Sequence, residues 1–99
     1  MPSGFVAILT VELHFPEAGS LKAKRHFVRS AKDNLRNRVG ASVAEVDHHD
    51  LWQRATLTVA CAARSAHDAE QLGDSAERWL ASGDWVLTRC DRLLVSPED

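Results

Sequence analysis

The sequence predicts an α+β domain of the split βαβ, or ferredoxin-like, class: a four-stranded antiparallel sheet in the order 4-1-3-2 with two helices on one face. Three observations carry that prediction. Six segments alternate in hydrophobic period as two, 3.6, two, two, 3.6, two, which is the order β-α-β-β-α-β. Cap and turn residues fall between them. The 99 residues, 44% hydrophobic and 26% charged, provide one modest core and not two. The expected domain is 1–99, with SPED at 96–99 as a short tail.

The first segment, GFVAILTVELHF, puts Phe5, Ala7, Leu9, Val11, Leu13 and Phe15 on one face of a strand, and Pro16 and Gly19 end it. Ser20 offers a helix N-cap and Gly40 a C-cap glycine, which bracket a helix over 21–39. Leu21, Val28, Ala31, Leu35 and Val39 form its apolar stripe. ASVAEVD, 41–47, is a short strand, DHHD a turn, and WQRATLTVACA, 52–62, a longer strand with Ala55, Leu57, Val59 and Cys61 on one face. Ser65 followed by Asp68 resembles a capping box. A second helix then presents Ala69, Leu72, Ala76, Trp79 and Leu80, with Gly83 as its stop, before a last strand at 84–95.

The charge is unevenly placed. The chain carries −2 overall, yet residues 20–39 carry +6 and the remainder −8. At roughly 100° per residue, Lys22, Arg25, Arg29, Lys32 and Arg36 fall within an arc of roughly 80° beside the apolar stripe. A right-handed crossover puts that arc on the side away from the second helix, looking out over the edge strand at 41–47. By the same construction Glu70, Asp74 and Glu77 look out over the opposite edge. A local cationic patch on an acidic chain suits binding of an anionic surface. It would equally serve as a solvated helix face, partly paired with Glu45 or Asp47.

Several words of this region resemble one family. The SLK-x-KR opening at 20–25, LRNR at 35–38, SVAEVD at 42–47 and DLWQRA at 50–55, preceded by VELHFPEAGSL, are similar to the signature of the YlxP-like proteins. These are small bacterial proteins classed as a domain of unknown function, the DUF503 type. The resemblance covers about the first two thirds of the chain and leaves a plainer second helix and last strand. It implies a ferredoxin-like fold. Genes of the family often lie beside those of translation initiation and ribosome maturation factors, so it also implies a role near RNA or the ribosome. It supplies no catalytic residues.

The residues themselves argue against most chemistry. There is no glycine-rich phosphate loop and no nucleophile triad. Asp47, His48, His49 and Asp50, with His14, are the richest group of metal ligands. Adjacent histidines in a loop diverge, however, and no HxxxH or CxxC spacing supports them, so His48, His49 and Asp50 are weak metal candidates. Cys61 and Cys90 lie in apolar-patterned strands, read as reduced core thiols with their polar neighbours on the other face, and a strand between them keeps them apart. No run approaches the roughly 20 apolar residues of a membrane span, and the N-terminal segment alternates as a signal-peptide core does not, so the expected location is the cytoplasm. No cofactor is expected.

The sheet face away from the helices shows Val6, Ile8, Thr10, Thr56 and Thr58. It has no aromatic on which bases could stack, and it suits packing against a second copy. Trp52 and Arg54 enter the strand at 52–62 together, on the face opposite Leu57 and Val59, as a stacking pair or as cover for a seam. The expectation is therefore a non-enzymatic binding protein. Its basic helix, with Trp52 and Arg54, meets RNA or a ribosomal surface. The alternative is a homodimeric structural or adaptor module using the open sheet face, and the third reading is a metal-dependent enzyme at the 47–50 loop.

Overall fold

The computed structural model describes residues 2–98. Met1 and Asp99, the outermost positions of the expected domain and tail, lie outside the described residues. The elements are β1 (Phe5–His14), α1 (Leu21–Val39), β2 (Ser42–Asp47), β3 (Arg54–Ala63), α2 (Ala66–Ala81) and β4 (Val86–Val95). The four strands form one sheet in the order β2-β3-β1-β4, every neighbouring pair antiparallel. This is the ferredoxin-like α+β arrangement.

The core lies between sheet and helices. Ala7, Leu9, Val11 and Leu13 of β1 and Ala55, Leu57, Val59 and Cys61 of β3 are buried against Val28, Ala31 and Leu35 of α1 and Ala69, Ala76 and Leu80 of α2. Phe15, Phe27, Trp79 and Trp85 close one end of it. The Phe15 and Phe27 rings are 5.6 Å apart and the two Trp rings 5.5 Å apart. Burial of these large rings, with edge-to-face contacts among them, is the largest apolar contribution at that end.

The element boundaries differ from expectation where local hydrogen bonds win over pattern. Ala41 belongs to the turn that follows α1, not to β2. Gly40 takes the left-handed conformation, φ 65°. Its N–H donates to the Arg36 carbonyl, the bond of an αL cap, and the Ala41 N–H reaches the Leu35 carbonyl at 3.3 Å. Trp52 and Gln53 belong to the loop before β3, where the chain bends, although the Gln53 carbonyl still accepts the Phe15 N–H at 2.8 Å one step beyond the last β1–β3 pair. At the end of α2, Ser82 is the cap, its hydroxyl donating to the Trp79 carbonyl at 2.8 Å. Gly83 instead makes room for Trp85: a Cβ there would come within 2.4 Å of the indole. Trp85 in turn precedes β4 because its ring N–H donates to the Leu80 carbonyl at 2.7 Å, drawing it under the helix. The expected tail is tied down at its start, with Ser96 buried and its hydroxyl donating to the Gly4 carbonyl at 3.0 Å.

Ser20 caps α1 and Ser65 caps α2, each hydroxyl accepting a backbone N–H three residues on at 3.1 Å. No helix is long and apolar enough to cross a membrane among the described residues.

Candidate nucleic-acid interface

The residue that organises this side of the molecule lies outside the exposed basic row. Lys24 is fully buried. Its ammonium donates to Glu45 Oε2 at 2.9 Å and to the backbone carbonyls of His48 at 2.8 Å, His49 at 3.3 Å and Arg54 at 3.3 Å. A buried ammonium is tolerated only with its protons satisfied and its charge paired, and here both conditions hold. The sequence carries a signal for it: at about 100° per residue, Lys24 sits in the middle of the apolar stripe of Leu21, Val28, Ala31 and Leu35, where a solvated lysine has no reason to be.

The basic stripe lies on the β2 side of α1. Arg25, Arg29, Lys32 and Arg36 line a shallow groove with Val28, Asp33 and Glu45, and Lys32 and Arg36 extend along a second groove beside residues 40–43. Lys22 is exposed in the first turn. Among the described residues only Arg36 of these five is in an ion pair, with exposed Asp33 one turn before it. Neither strand acid pairs with the stripe among the described residues. Glu45 is neutralised by Lys24, and Asp47, hydrogen-bonded to the His48 N–H at 2.7 Å, stays exposed and charged. The excess of cations therefore faces water.

The loop 48–53 and the end of β1 form an open cavity of about 490 Å³ lined by His14, Asp50, Leu51, Trp52, Gln53 and Arg54. His14 and Arg54 are cross-strand partners on the open sheet face. Trp52 is 54% exposed and Leu51 44%. His48 holds a left-handed backbone, φ 65°, a conformation unusual for a residue with a Cβ. Its carbonyl is the one closest to the Lys24 ammonium, which offsets that strain.

The same loop does not gather a metal site. His49 Nε2 lies 3.1 Å from the Glu45 carbonyl, while His48 Nε2 lies 3.9 Å from Asp47. The two rings thus turn to different partners, and among the described residues no three His, Cys, Asp or Glu side chains converge.

The open sheet face is less uniform than the alternation implied. Thr10 is exposed and Val6, Ile8 and Thr58 are half-buried. Thr56, in a central strand between Glu12 and Asp47, is only 8% exposed and offers little surface to a partner. Leu93 of β4, paired with Ile8, adds an apolar side chain that is 61% exposed, and Val95 pairs with Val6. Toward the other end the face turns charged, with Glu12 opposite Arg89 and His14 beside Arg54.

At the β4 edge, Glu70, Asp74 and Glu77 close on Arg92 instead of facing water alone. Its guanidinium lies 2.7 Å from Asp74, 3.1 Å from Glu77 and 3.8 Å from Glu70. It rests on Gly73, where a Cβ would come within 3.1 Å of it. Three carboxylates and one guanidinium leave this edge acidic. Cys61 and Cys90 are both free thiols. Burial pushes Cys61 up, and burial together with a hydrogen bond to Glu77 pushes Cys90 up to about 11. Cys90 therefore does have a polar neighbour on its own face, contrary to the expectation from alternation, but an acidic one that makes it a poorer nucleophile.

Two comparisons place the chain among known proteins. A family model described as a protein of unknown function, DUF503, matches residues 6–91. The uncharacterized protein YlxP of Bacillus subtilis (strain 168) is 31% identical over 55 residues, which is 56% of this chain and 60% of that relative. The chain thus matches less than two thirds of that relative's length. With a ferredoxin-like fold and a family match over most of its described residues, the chain belongs to the DUF503 family.

Proposed function

We propose that this is a non-enzymatic, cytoplasmic binding protein whose α1 face contacts the phosphate backbone of RNA, free or within a ribosomal surface. The observation that carries this reading is the row of cations, exposed Lys22, Arg25, Arg29 and Arg36 with half-buried Lys32, of which only Arg36 is ion-paired among the described residues. A helix presenting a run of cations unquenched by its own protein favours a polyanion through counterion release. The open sheet face lacks the stacked aromatics of an RNA-recognition sheet, so contact through α1 and the adjoining loop is the economical arrangement.

Filter binding to structured RNA at several salt concentrations tests it. Arg25→Glu with Arg29→Glu weakens binding and flattens the log–log salt slope by roughly 0.7–0.9 for each phosphate that the variant no longer neutralises. The variant stays folded, since exposed charges contribute about 0–1 kcal/mol each. Arg64→Glu with Arg78→Glu is the control of equal charge change on another surface, and binds as wild type does. If both double variants bind alike, α1 is a solvated face.

A second reading has its own observation, the exposed Leu93 beside Val6, Ile8 and Val95. A small protein seldom leaves such a patch open, and a homodimer or adaptor contact would cover it. Sedimentation at high micromolar concentration then gives a dimer that Ile8→Asp converts to monomer. A wild-type monomer under those conditions ends this reading.

A further inference from the structure

We infer that the cavity between the 48–53 loop and the end of β1 receives one unpaired nucleotide of an RNA whose backbone lies along α1. This rests on the reading of α1 as a phosphate-contacting face and names what the adjoining site recognises.

The cavity, about 490 Å³, falls in the size range of small-ligand sites, roughly 300–1,000 Å³. Its shape is held from both ends. The Lys24 ammonium takes the carbonyls of His48 and His49 at the start of the loop and of Arg54 just past its end. The Gln53 carbonyl accepts the Phe15 N–H, and its side-chain amide reaches the carbonyls of Pro16 and Ala18, each at 3.4 Å. A free loop would turn Leu51 and Trp52 inward to shed water. With its ends pinned, it leaves Trp52 54% exposed and Leu51 44% exposed. With the loop backbone held in this way, less freedom is lost when a flat group stacks on the exposed indole.

Charge decides what that flat group is. Arg54 and Asp50 offset each other in the lining, so the surplus cations are those of α1, whose Lys24 holds the loop backbone. The complementary occupant has an apolar flat face and a negative charge, which describes a nucleobase with its phosphate better than an aromatic side chain of another protein. Asp50 at the rim offers an acceptor to the amino group of a base. Within a paired stem the base faces are covered by their neighbours, so only a bulged, looped or terminal base reaches the indole.

Two RNA hairpins of equal length test this, one with a fully paired stem and one with a single bulged nucleotide. Wild type prefers the bulged hairpin by about tenfold, within the range of one base–aromatic stack. Trp52→Ala removes the preference, so that both hairpins bind that variant alike, and Trp52→Phe retains most of it. Arg25→Glu with Arg29→Glu weakens both hairpins and keeps their ratio. Equal wild-type affinities, or a preference that survives Trp52→Ala, overturn the nucleotide site while the α1 reading stands. A preference that persists when the α1 variant binds paired stems as wild type does removes the α1 reading and leaves the site. If neither hairpin binds at low salt, both fall. A concentration-dependent blue shift of tryptophan emission without RNA, absent from Trp52→Phe, would assign the cavity to a second copy and overturn the proposal.

Discussion

The two edges of the sheet are tied to their helices by mirror-image ion pairs, and the difference between them is instructive. At the β2 edge the helix supplies the cation, Lys24, and the strand the carboxylate, Glu45. At the β4 edge the strand supplies the cation, Arg92, and the helix the carboxylates Glu70, Asp74 and Glu77. Lys24 is wholly buried and meets one carboxylate and three carbonyls, whereas Arg92 keeps 20% of its side chain exposed among three half-exposed acids. The first is a one-to-one neutralisation that leaves the cations of α1 over. The second is a surplus of acid around one base. Each edge thus shows water its majority charge, and the domain has opposite signs at its two sides.

The largest break in this comparison is expected at Lys24. Lys24→Ala strands Glu45 and three loop carbonyls and should cost about 3 kcal/mol, the lower end for removing one partner of a buried pair because Glu45 keeps some access to water. Urea unfolding measures it. A loss below about 1 kcal/mol would mean that the loop carbonyls simply turn to solvent.

Arg92→Ala is the matched test on the other edge. It leaves three carboxylates facing one another, yet all are partly solvated, so the expected loss is about 1–2 kcal/mol, the range of a few charge-assisted bonds discounted for exposure. A loss equal to that of Lys24→Ala would show that exposure does not separate the two edges.

The smallest effect is alkaline. Cys90 sits on the acidic edge beside Glu77, and its thiol is held at about 11, above the ordinary 9.0. Below pH 9.0 native and unfolded chains both keep that proton; between 9.0 and about 11 only the native chain does. The native state then binds more protons, so stability falls as pH rises through that window. Cys90→Ala should flatten this stretch of the profile in unfolding curves taken at pH 8, 10 and 11. An unchanged slope would mean that burial and the Glu77 contact do not hold the Cys90 proton in solution.

Much of this arrangement is legible in residue order. The bounds of α1, from its Ser20 cap to its Gly40 cap, agree with the sequence expectation, because both signals act within one turn of the chain. The inward rows of β1 and β3 follow from alternation alone. The candidate site is half legible. The exposed cations of α1 stand out by spacing, but a sum of charges over the helix includes Lys24, although its place in the apolar row marks it as buried. The cavity is not legible at all, since its walls come from β1, the loop and β3 together.

What the sequence determined by itself is therefore local and periodic: six elements, their caps, their apolar faces and a helix with a cationic side. Those follow from backbone sterics and from burying one face of each element, which neighbouring residues decide. What only the tertiary structure decided is who neutralises whom. Arg92 meets Asp74 and Glu77 because β4 pairs with β1 in the register that sets Arg92 against Leu9, beneath α2. Lys24 reaches Glu45 and the loop because α1 crosses the β2–β3 hairpin at that turn. Charge pairing acts over a few ångströms in space, and only the fold brings residues 20 or 30 positions apart within that distance.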